Sequence, residues 1–310
     1  TENEIIDLGF WPGGDRDGNP FVTTQITLDV AEKLRQSILR SYYRDVKRLK
    51  RRFTFDGVQE ILAQIEKRLY KHVIRSYAKV NFSQKILLED LYEAREIVIN
   101  NHDSLFIEEL NDFINKVRIF GFHFATLDIR QDSRVHHQAF TQIVNDLLAS
   151  GDTTFPENYH QLNEKDQINV LAVVKGNIDP TILSDKMSVS TIESIYALKT
   201  IQKRNGERGA NRYIISNNQT ALNVMQTFAM LNLCGFENEL PVDVIPLFET
   251  VDDLENASDV MRTLYSNNTY RYHLSKRGDK QSIMLGFSDG TKDGGYLMAN
   301  WGIFKAKEAL

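Results

Sequence analysis

Residues 242–265 read VDVIPLFETVDDLENASDVMRTLY, and this stretch decides the fold class. The run from Val242 to Phe248 is short, apolar and rich in β-branched residues, as is typical of a buried strand. From Asp252 to Tyr265 the apolar residues recur three or four positions apart, which predicts an amphipathic helix. A buried strand that leads directly into a helix is the repeating unit of a parallel α/β sheet.

The same alternation of strands and helices extends through the chain after Gly121. Gly, Pro, Asn and Thr are common from Ser150 to Ser188, so we expect a loop-rich connection there with one or two short helices. The other predicted strands run from Phe122 to Ile129, from Tyr213 to Ser216 and from Ile283 to Phe287. The other predicted helices run from Ser133 to Ala149, Val189 to Arg204, Gln219 to Leu233 and Lys292 to Ala309.

The first 120 residues carry a purely helical pattern. Apolar residues recur at a spacing of three and four, and Asp or Ser stands where an N-cap is needed. The predicted helices run from Asp29 to Lys50, Asp56 to Tyr77, Ser83 to Asn100 and Asp103 to Ile119. The sequence therefore predicts a helix-rich α/β protein with a helical portion, residues 1–120, followed by a βα portion, residues 121–310.

The composition is that of a folded globular protein. Of the 310 residues, 42% are hydrophobic and 25% are charged, which argues against disordered, collagen-like and membrane-spanning classes. No apolar run approaches the ~18–20 residues that cross a bilayer. The start, Thr1-Glu2-Asn3-Glu4, is acidic and has no signal-peptide pattern, so we expect a cytoplasmic protein and an excised piece of a longer chain. The single cysteine, Cys234, lies in an apolar context typical of a buried structural thiol.

The charge distribution disfavours a nucleic-acid-binding protein, because the formal net charge is -5. One stretch departs from this average: from Lys33 to Arg52 there are nine Lys or Arg residues and a single acid, Asp45. On a long helix such a stretch is usually a solvated face. It also suits an anionic partner or an interface with a missing acidic segment.

Charged residues follow three of the predicted strands, at the end where parallel βα folds build their active sites. A pair of carboxylates such as Glu249 and Asp289 is suited to Mg²⁺ or Mn²⁺, and the cations Arg130 and Lys292 are suited to a phosphate or carboxylate. The alternative is that the acids cap the helices that follow, for which Asp252 and Asp289 are well placed.

A glycine-rich stretch, Trp11 to Pro20, reads WPGGDRDGNP. Its glycines and prolines predict tight turns, and its Trp, Arg and Asp residues suit a loop that faces a ligand. A rigid turn whose Asp and Arg side chains pair with each other explains the composition equally well.

The histidines do not form a zinc motif, and no serine-hydrolase, P-loop or dinucleotide motif is present. Four strings do, however, occur together in the order found in one family, and the sequence resembles phosphoenolpyruvate carboxylase of the bacterial and plant kind. The strings are Gly13 to Pro20 with Val22-Thr23; Leu127 to Gln131 with His136; Val244 to Thr250 with Asp252, Leu254, Asn256 and Ala257; and Met284 to Asp289 with Lys292-Asp293.

The resemblance implies an incomplete (β/α)₈ (TIM-like) barrel with a large helical portion. It also implies a cytoplasmic lyase, homotetrameric in the family, that fixes carbon dioxide by converting phosphoenolpyruvate and bicarbonate to oxaloacetate and phosphate, through carboxyphosphate and a metal-held enolate. By motif, Glu249 and Asp289 are similar to the ligands of Mg²⁺ (or Mn²⁺), and Arg130 to a phosphate-binding cation, with Lys292 assisting. The residues similar to the apolar lining of the carbon dioxide pocket are Trp11, Leu247 and Met284.

The sequence also departs from the family. The family's Ala-His-Pro-Thr motif and its glycine- and arginine-rich loop are absent, so we expect a central fragment that is inactive by itself. Smaller departures are Pro12, Gly290-Thr291, Gly294 and Asn217-Asn218. The alternative function is a metal- and anion-binding barrel module of another Mg²⁺-dependent enzyme acting on phosphoenolpyruvate or a pyruvate enolate. Individual roles for Asp15, Arg16, Asp17 and His136 do not follow from the motifs.

Overall fold

A computed structural model describes residues 6–19, 21–74, 82–236 and 240–310. Within these ranges the chain forms eleven α-helices and six β-strands. The strands are β1 (Gly9–Phe10), β2 (Thr126–Leu127), β3 (Ile129–Asp132), β4 (Arg212–Ser216), β5 (Asp243–Phe248) and β6 (Met284–Leu285). The helices are α1 (Thr24–Arg52), α2 (Val58–Ile74), α3 (Gln84–Asn101), α4 (Ile107–Phe120), α5 (Ser133–Ala149), α6 (Glu164–Leu171), α7 (Lys186–Asn205), α8 (Ala221–Leu233), α9 (Val251–Ser266), α10 (Asn268–Lys276) and α11 (Phe287–Ala309).

The first compact unit is helical and contains Thr27–Leu127, Thr200–Gly209 and the segment that ends at Phe10. Its core is a continuous apolar cluster to which α1, α2, α3 and α4 all contribute residues, because the apolar side of each helix faces the core. Ser83 caps α3 as predicted, since its hydroxyl accepts a hydrogen bond from the Ile86 N–H at 3.3 Å. The largest fully buried side chains of this core include Tyr42, Phe53, Leu39, Leu49, Leu62, Ile65, Leu69 and Leu87.

Helix starts in this unit differ from the prediction at two places. Helix α1 begins at Thr24, so Asp29 lies inside the helix and is not its cap. Helix α4 begins at Ile107, because the chain first makes a left-handed turn in which Asp103 has φ 47° and Phe106, at the N-cap position, has φ 61°. The predicted second helix is described through Ile74, and its last residues, 75–77, lie outside the described residues.

The second unit contains Trp11–Ile26, Asp128–Lys199 and Ala210–Leu310. Its sheet has the strand order β3-β4-β5-β6, and all three pairings are parallel. The predicted parallel βα organisation is therefore confirmed, while four strands by themselves do not show a barrel. Because parallel strands end at the same edge, the residues that follow β3, β4, β5 and β6 are brought to one side of the sheet.

Two boundaries in the βα portion are corrected. The predicted strand from Phe122 to Ile129 starts too early, since Phe124 has φ 67°; extended chain begins only at β2, which pairs with β1, and resumes in β3. Helix α11 begins at Phe287 rather than Lys292, with Gly286 at the N-cap, and is broken at Gly295 (φ 81°, ψ 169°). Helix α10 was not predicted from the sequence.

The other predicted elements agree with the structure within a few residues, including the loop-rich connection, which contains α6 and two short 3₁₀ helices. Among the described residues, no helix combines the length and the apolar character that a membrane-crossing segment requires.

Candidate active site

Glu249 and Asp289 lie next to each other at the carboxyl edge of the sheet. Glu249 follows β5 directly, and Asp289 lies in the first turn of α11, which follows β6. A Cβ atom on Gly290 would lie only 3.3 Å from the Glu249 carbonyl oxygen, and one on Gly286 only 3.2 Å from the Glu249 Cα. These glycines therefore permit α11 to start directly against the backbone of Glu249.

The two carboxylates are not helix caps. Helix α9 is capped by Thr250, whose hydroxyl accepts from the Asp253 N–H at 3.1 Å, while the Asp253 carboxylate accepts from the Thr250 N–H at 3.0 Å. The proposed cap role of Asp252 is therefore wrong. That of Asp289 is wrong as well, because Asp289 lies inside α11, where its carboxylate accepts a hydrogen bond from Lys292 Nζ at 2.8 Å. This hydrogen bond raises the pKa of Lys292.

Arg130 lies within β3 and carries the main cation of the site. Its Nη2 donates to the Asp17 carboxylate at 2.6 Å and to the Glu249 carboxylate at 3.1 Å. Its Nε is buried without a hydrogen-bond partner, 3.8 Å from the Asp15 carboxylate. The guanidinium carbon lies 5.3 Å from the centre of the Trp11 ring, within the range of a cation–π contact.

The glycine-rich loop is docked on β3 by its backbone. The Arg16 N–H donates to the Arg130 carbonyl at 2.9 Å, and the Arg130 N–H donates to the Gly14 carbonyl at 3.0 Å. Backbone pairing of this kind aligns Asp15 beside Arg130 as an extra parallel bridge. Pro20, the last residue of the predicted loop, lies outside the described residues.

The side chains of this loop do not pair with each other as the rigid-turn alternative requires. Arg16 instead donates to the Ser190 hydroxyl at 2.6 Å and to its carbonyl at 3.2 Å. Asp17, to which the sequence assigned no role, makes the shortest contact to Arg130. The only signal for Asp17 in the sequence was its place in a conformationally restricted loop.

Negative charge exceeds positive charge at the site. Asp15, Asp17, Glu249 and Asp289 contribute four carboxylates, and Arg130 and Lys292 contribute two cations, which leaves a formal charge of −2. Burial raises the pKa of Glu249; Arg130 opposes this, and the carboxylates of Asp17 and Asp289 raise it further. A bound divalent cation would balance this charge.

The donor set fits Mg²⁺ or Mn²⁺, because hard divalent cations prefer carboxylate oxygens and keep several water or substrate ligands. The described residues contain no group of three or more His, Cys, Asp or Glu side chains arranged around a metal position. A metal at Glu249 and Asp289 would therefore draw its remaining ligands from water and substrate.

An apolar patch lies beside these carboxylates. Leu247 and Met284 are register partners on β5 and β6, and they pack in one cluster with Ile214 and Ile245. Trp11 is not part of this cluster and packs on Arg130 instead. The structure thus brings together two of the three residues expected to line an apolar pocket.

The turn after β4 completes the edge of the sheet. Asn217 has φ 51°, and its backbone opposes the rise in the pKa of Glu249. The Asn218 N–H donates to the Leu247 carbonyl at 3.1 Å. The side chains of Ser216 and Asn218 are fully buried, and their polar atoms have no hydrogen-bond partner among the described residues. The sequence had marked Asn217-Asn218 only as a departure from the family.

His136 belongs to the buried support of the site. Its two ring nitrogens lie 2.9 Å from the Tyr213 hydroxyl and 3.0 Å from the Thr227 hydroxyl. Burial, reinforced by the charge of Arg16, lowers the pKa of His136 to about 3. The imidazole is therefore neutral near pH 7 and links α5, β4 and α8.

Sequence comparison identifies relatives of the chain that carries this site. The family profile described as Phosphoenolpyruvate carboxylase matches residues 1–83 and 58–310. The chain belongs to the phosphoenolpyruvate carboxylase family. The family resemblance carried by the four sequence strings is thereby confirmed.

Curated phosphoenolpyruvate carboxylases align with nearly the whole chain. The enzymes of Nitrosomonas eutropha and Nitrosomonas europaea are each 29% identical to it, over 99% of this chain and 37% of their own length. The enzyme of Rhodothermus marinus is 29% identical over 97% of this chain and 37% of its own length. The chain thus spans little more than a third of the phosphoenolpyruvate carboxylases that it matches.

Proposed function

We propose that this chain is the central part of a longer phosphoenolpyruvate carboxylase, a carbon-fixing lyase that forms oxaloacetate and phosphate from phosphoenolpyruvate and bicarbonate. The observation that carries the proposal is the convergence of Arg130, Glu249 and Asp289 at one sheet edge, with an uncompensated charge of −2. The family membership and the 37% coverage of its relatives support it.

The finer architecture belongs to the same proposal. Residues 121–310 would form part of a (β/α)₈ barrel, and residues 1–120 a helical portion of the same enzyme. The four parallel strands β3 to β6, each followed by a helix along the chain, support this arrangement. From the family resemblance we also expect the longer enzyme to be cytoplasmic and homo-oligomeric.

Glu249 and Asp289 would hold the Mg²⁺ or Mn²⁺ ion. When bound, the ion would supply positive charge next to the oxygen of phosphoenolpyruvate that becomes an oxyanion. Asp17 and Glu249 hold Arg130 at the sheet edge, where its guanidinium would bind the phosphate group. Lys292, one turn after Asp289, would add a second positive charge beside the substrate.

The proposed reaction has two stages. A bicarbonate oxygen attacks phosphorus and the bond from phosphorus to the enol oxygen breaks, which gives carboxyphosphate and the enolate of pyruvate. Carboxyphosphate then releases carbon dioxide and phosphate, and the enolate carbon bonds to the carbon dioxide. Leu247 and Met284 would keep water away from the enolate, which limits its protonation.

The test uses the complete reading frame that encloses these residues. The encoded protein should form oxaloacetate from phosphoenolpyruvate, bicarbonate and Mg²⁺, measured through NADH oxidation by malate dehydrogenase. Arg130→Gln should lower turnover by orders of magnitude. The matched control is Arg262→Gln, because Arg262 is 72% exposed and pairs with Asp259 on α9.

The 310-residue chain alone should show no carboxylation, since the Ala-His-Pro-Thr motif and the glycine- and arginine-rich loop are absent from its sequence. Mg²⁺-dependent oxaloacetate formation by this chain would contradict the proposed fragment. A reading frame without those two motifs would contradict the proposed carboxylase.

A further inference from the structure

The outer face of α1 carries a row of basic side chains that is interrupted by Ser37. Between Lys33 and Arg51 the exposed residues of this helix are six cations and Ser37. At 100° per residue they fall within a stripe about 100° wide, and at 1.5 Å per residue the stripe is about 27 Å long. We call it the basic stripe; its members are Lys33, Arg40, Arg44, Lys47, Arg48 and Arg51.

Other cations near the basic stripe are neutralised by carboxylates of the same unit. Lys50 pairs with Glu66 at 2.6 Å, and Lys116 pairs with Asp45 at 2.6 Å. Within the described part of the chain, the only ion pair of the basic stripe joins Arg48 to Asp45 at 3.9 Å, and that carboxylate is already bound by Lys116. Along the basic stripe, by contrast, Arg48 is the one cation with a carboxylate partner among the described residues.

The basic stripe is positively charged, whereas the protein as a whole is negatively charged. The whole chain carries a formal charge of -5 and the stripe carries +6, so the rest carries −5 − 6 = −11. The opposite face of α1 packs into the helical core through Ile38, Tyr42 and Val46. The basic stripe is therefore directed outward from a helix that is held in place by its apolar face.

We propose that the basic stripe docks an acidic α-helix of a partner protein, with carboxylates spaced i, i+4, i+7 and i+11. From Arg40 the cations Arg44, Lys47 and Arg51 follow at i+4, i+7 and i+11, which is the axial repeat of side chains on one face of a second helix. The stripe is one helix face wide and straight, so a helix lying along it can pair with several cations at once. This inference is independent of the proposed carboxylase function.

The other polyanions fit the basic stripe less well. Single-stranded nucleic acid is bound through aromatic stacking, and the aromatic residue beside the stripe, Tyr43, is half-buried and already packed against Tyr70 and Lys47. A nucleic acid duplex is longer than the 27 Å stripe and would extend over the rest of the chain, which carries a formal charge of −11, whereas a short helix ends where the stripe ends. A membrane-binding helix inserts apolar side chains, and the basic stripe contains none.

The probe is a fluorescent, alanine-based helical peptide with four Glu residues at i, i+4, i+7 and i+11. Its control has the same composition with the Glu residues distributed around the helix. Fluorescence anisotropy with the full chain at low salt should show binding of the phased peptide, tighter than that of the control and weakened by added NaCl.

The test variant is Arg40→Glu/Arg44→Glu/Lys47→Glu, which should weaken binding of the phased peptide at least about 10-fold. The matched control, Lys67→Glu/Lys71→Glu/Lys85→Glu, makes the same change in net charge at exposed positions of α2 and α3 and should keep most of the affinity. If the reversal variant does not fold, the neutral variant Arg40→Gln/Arg44→Gln/Lys47→Gln replaces it.

Four outcomes would overturn the proposal. These are no binding of the phased peptide, equal binding of both peptides, equal weakening by both triple variants, and tighter binding of a DNA duplex or of phosphatidylserine vesicles than of the phased peptide.

Discussion

If Glu249 ligates Mn²⁺ as proposed, Mn²⁺ should stabilise this chain against heat, and Glu249→Gln should remove most of that stabilisation. The substitution keeps the shape of the side chain and removes one of the four carboxylates, so the formal charge of the site changes from −2 to −1. Removing a residue that hydrogen-bonds a metal ligand lowers metal affinity about 10–100-fold. Removing a ligand itself should therefore lower metal affinity at least about 100-fold.

The expected shift follows from ligand linkage. Mn²⁺ at 100 times its dissociation constant stabilises the folded protein by about 2.7 kcal/mol, which corresponds to roughly 5–10 °C in Tm. At the same concentration the variant is near its own dissociation constant, where the stabilisation is about 0.4 kcal/mol or roughly 1 °C. Without metal, Arg130 keeps its 2.6 Å contact to Asp17, so the guanidinium remains paired when Glu249 is replaced.

The assay is differential scanning calorimetry of both proteins, with a Mn²⁺ titration followed by electron paramagnetic resonance. Asp252→Asn is the matched control, because it removes one exposed carboxylate three residues away in the first turn of α9. An undiminished Mn²⁺ shift in Glu249→Gln, or an equal loss in Asp252→Asn, would refute the assignment of Glu249 as a ligand.

Three further predictions concern the support of the site. Asn218→Ala should leave the midpoint of urea unfolding unchanged or raise it, because burying an unpaired amide costs about 1–3 kcal/mol. The control Asn205→Ala loses a 3.0 Å hydrogen bond to the Ala31 carbonyl and should lower the midpoint. Folding lowers the pKa of His136 from 6.5 to about 3, so the unfolded chain binds a proton more readily than the folded protein. The free energy of unfolding should therefore fall by about 2 kcal/mol from pH 7 to pH 5. Urea unfolding of His136→Phe should lose this pH dependence. Thr250→Ala should cost about 1 kcal/mol by removing the cap of α9, as measured by thermal unfolding, whereas Thr263→Ala on the exposed face of the same helix should stay within about 0.5 kcal/mol.

The elements that were predicted well are those whose signal lies in neighbouring residues. Helices α3, α5, α8 and α9 and strands β4 and β5 follow from apolar periodicity and from short β-branched runs, which depend only on local chain geometry. Two of the boundaries that failed, at the start of β2 and of α4, lie beside residues with positive φ, namely Phe124 and Phe106. No residue-type pattern marks a non-glycine residue in that conformation, because surrounding contacts hold it there.

The sequence by itself determined the family, the parallel βα class and the pair Glu249 and Asp289 as candidate ligands, since these depend on motifs and on which residues follow a strand. Only the tertiary structure decided that Asp17 holds Arg130, because the two are separated by 113 positions and meet through backbone pairing of the glycine-rich loop with β3. It alone decided that Thr250, and not Asp252, caps α9. It also decided that Lys50 pairs with Glu66 of α2 and Arg52 with Glu109 of α4, and which cations of α1 form the basic stripe. These contacts depend on the register and packing of segments that are distant in the sequence. The propensities of neighbouring residues do not predict that packing.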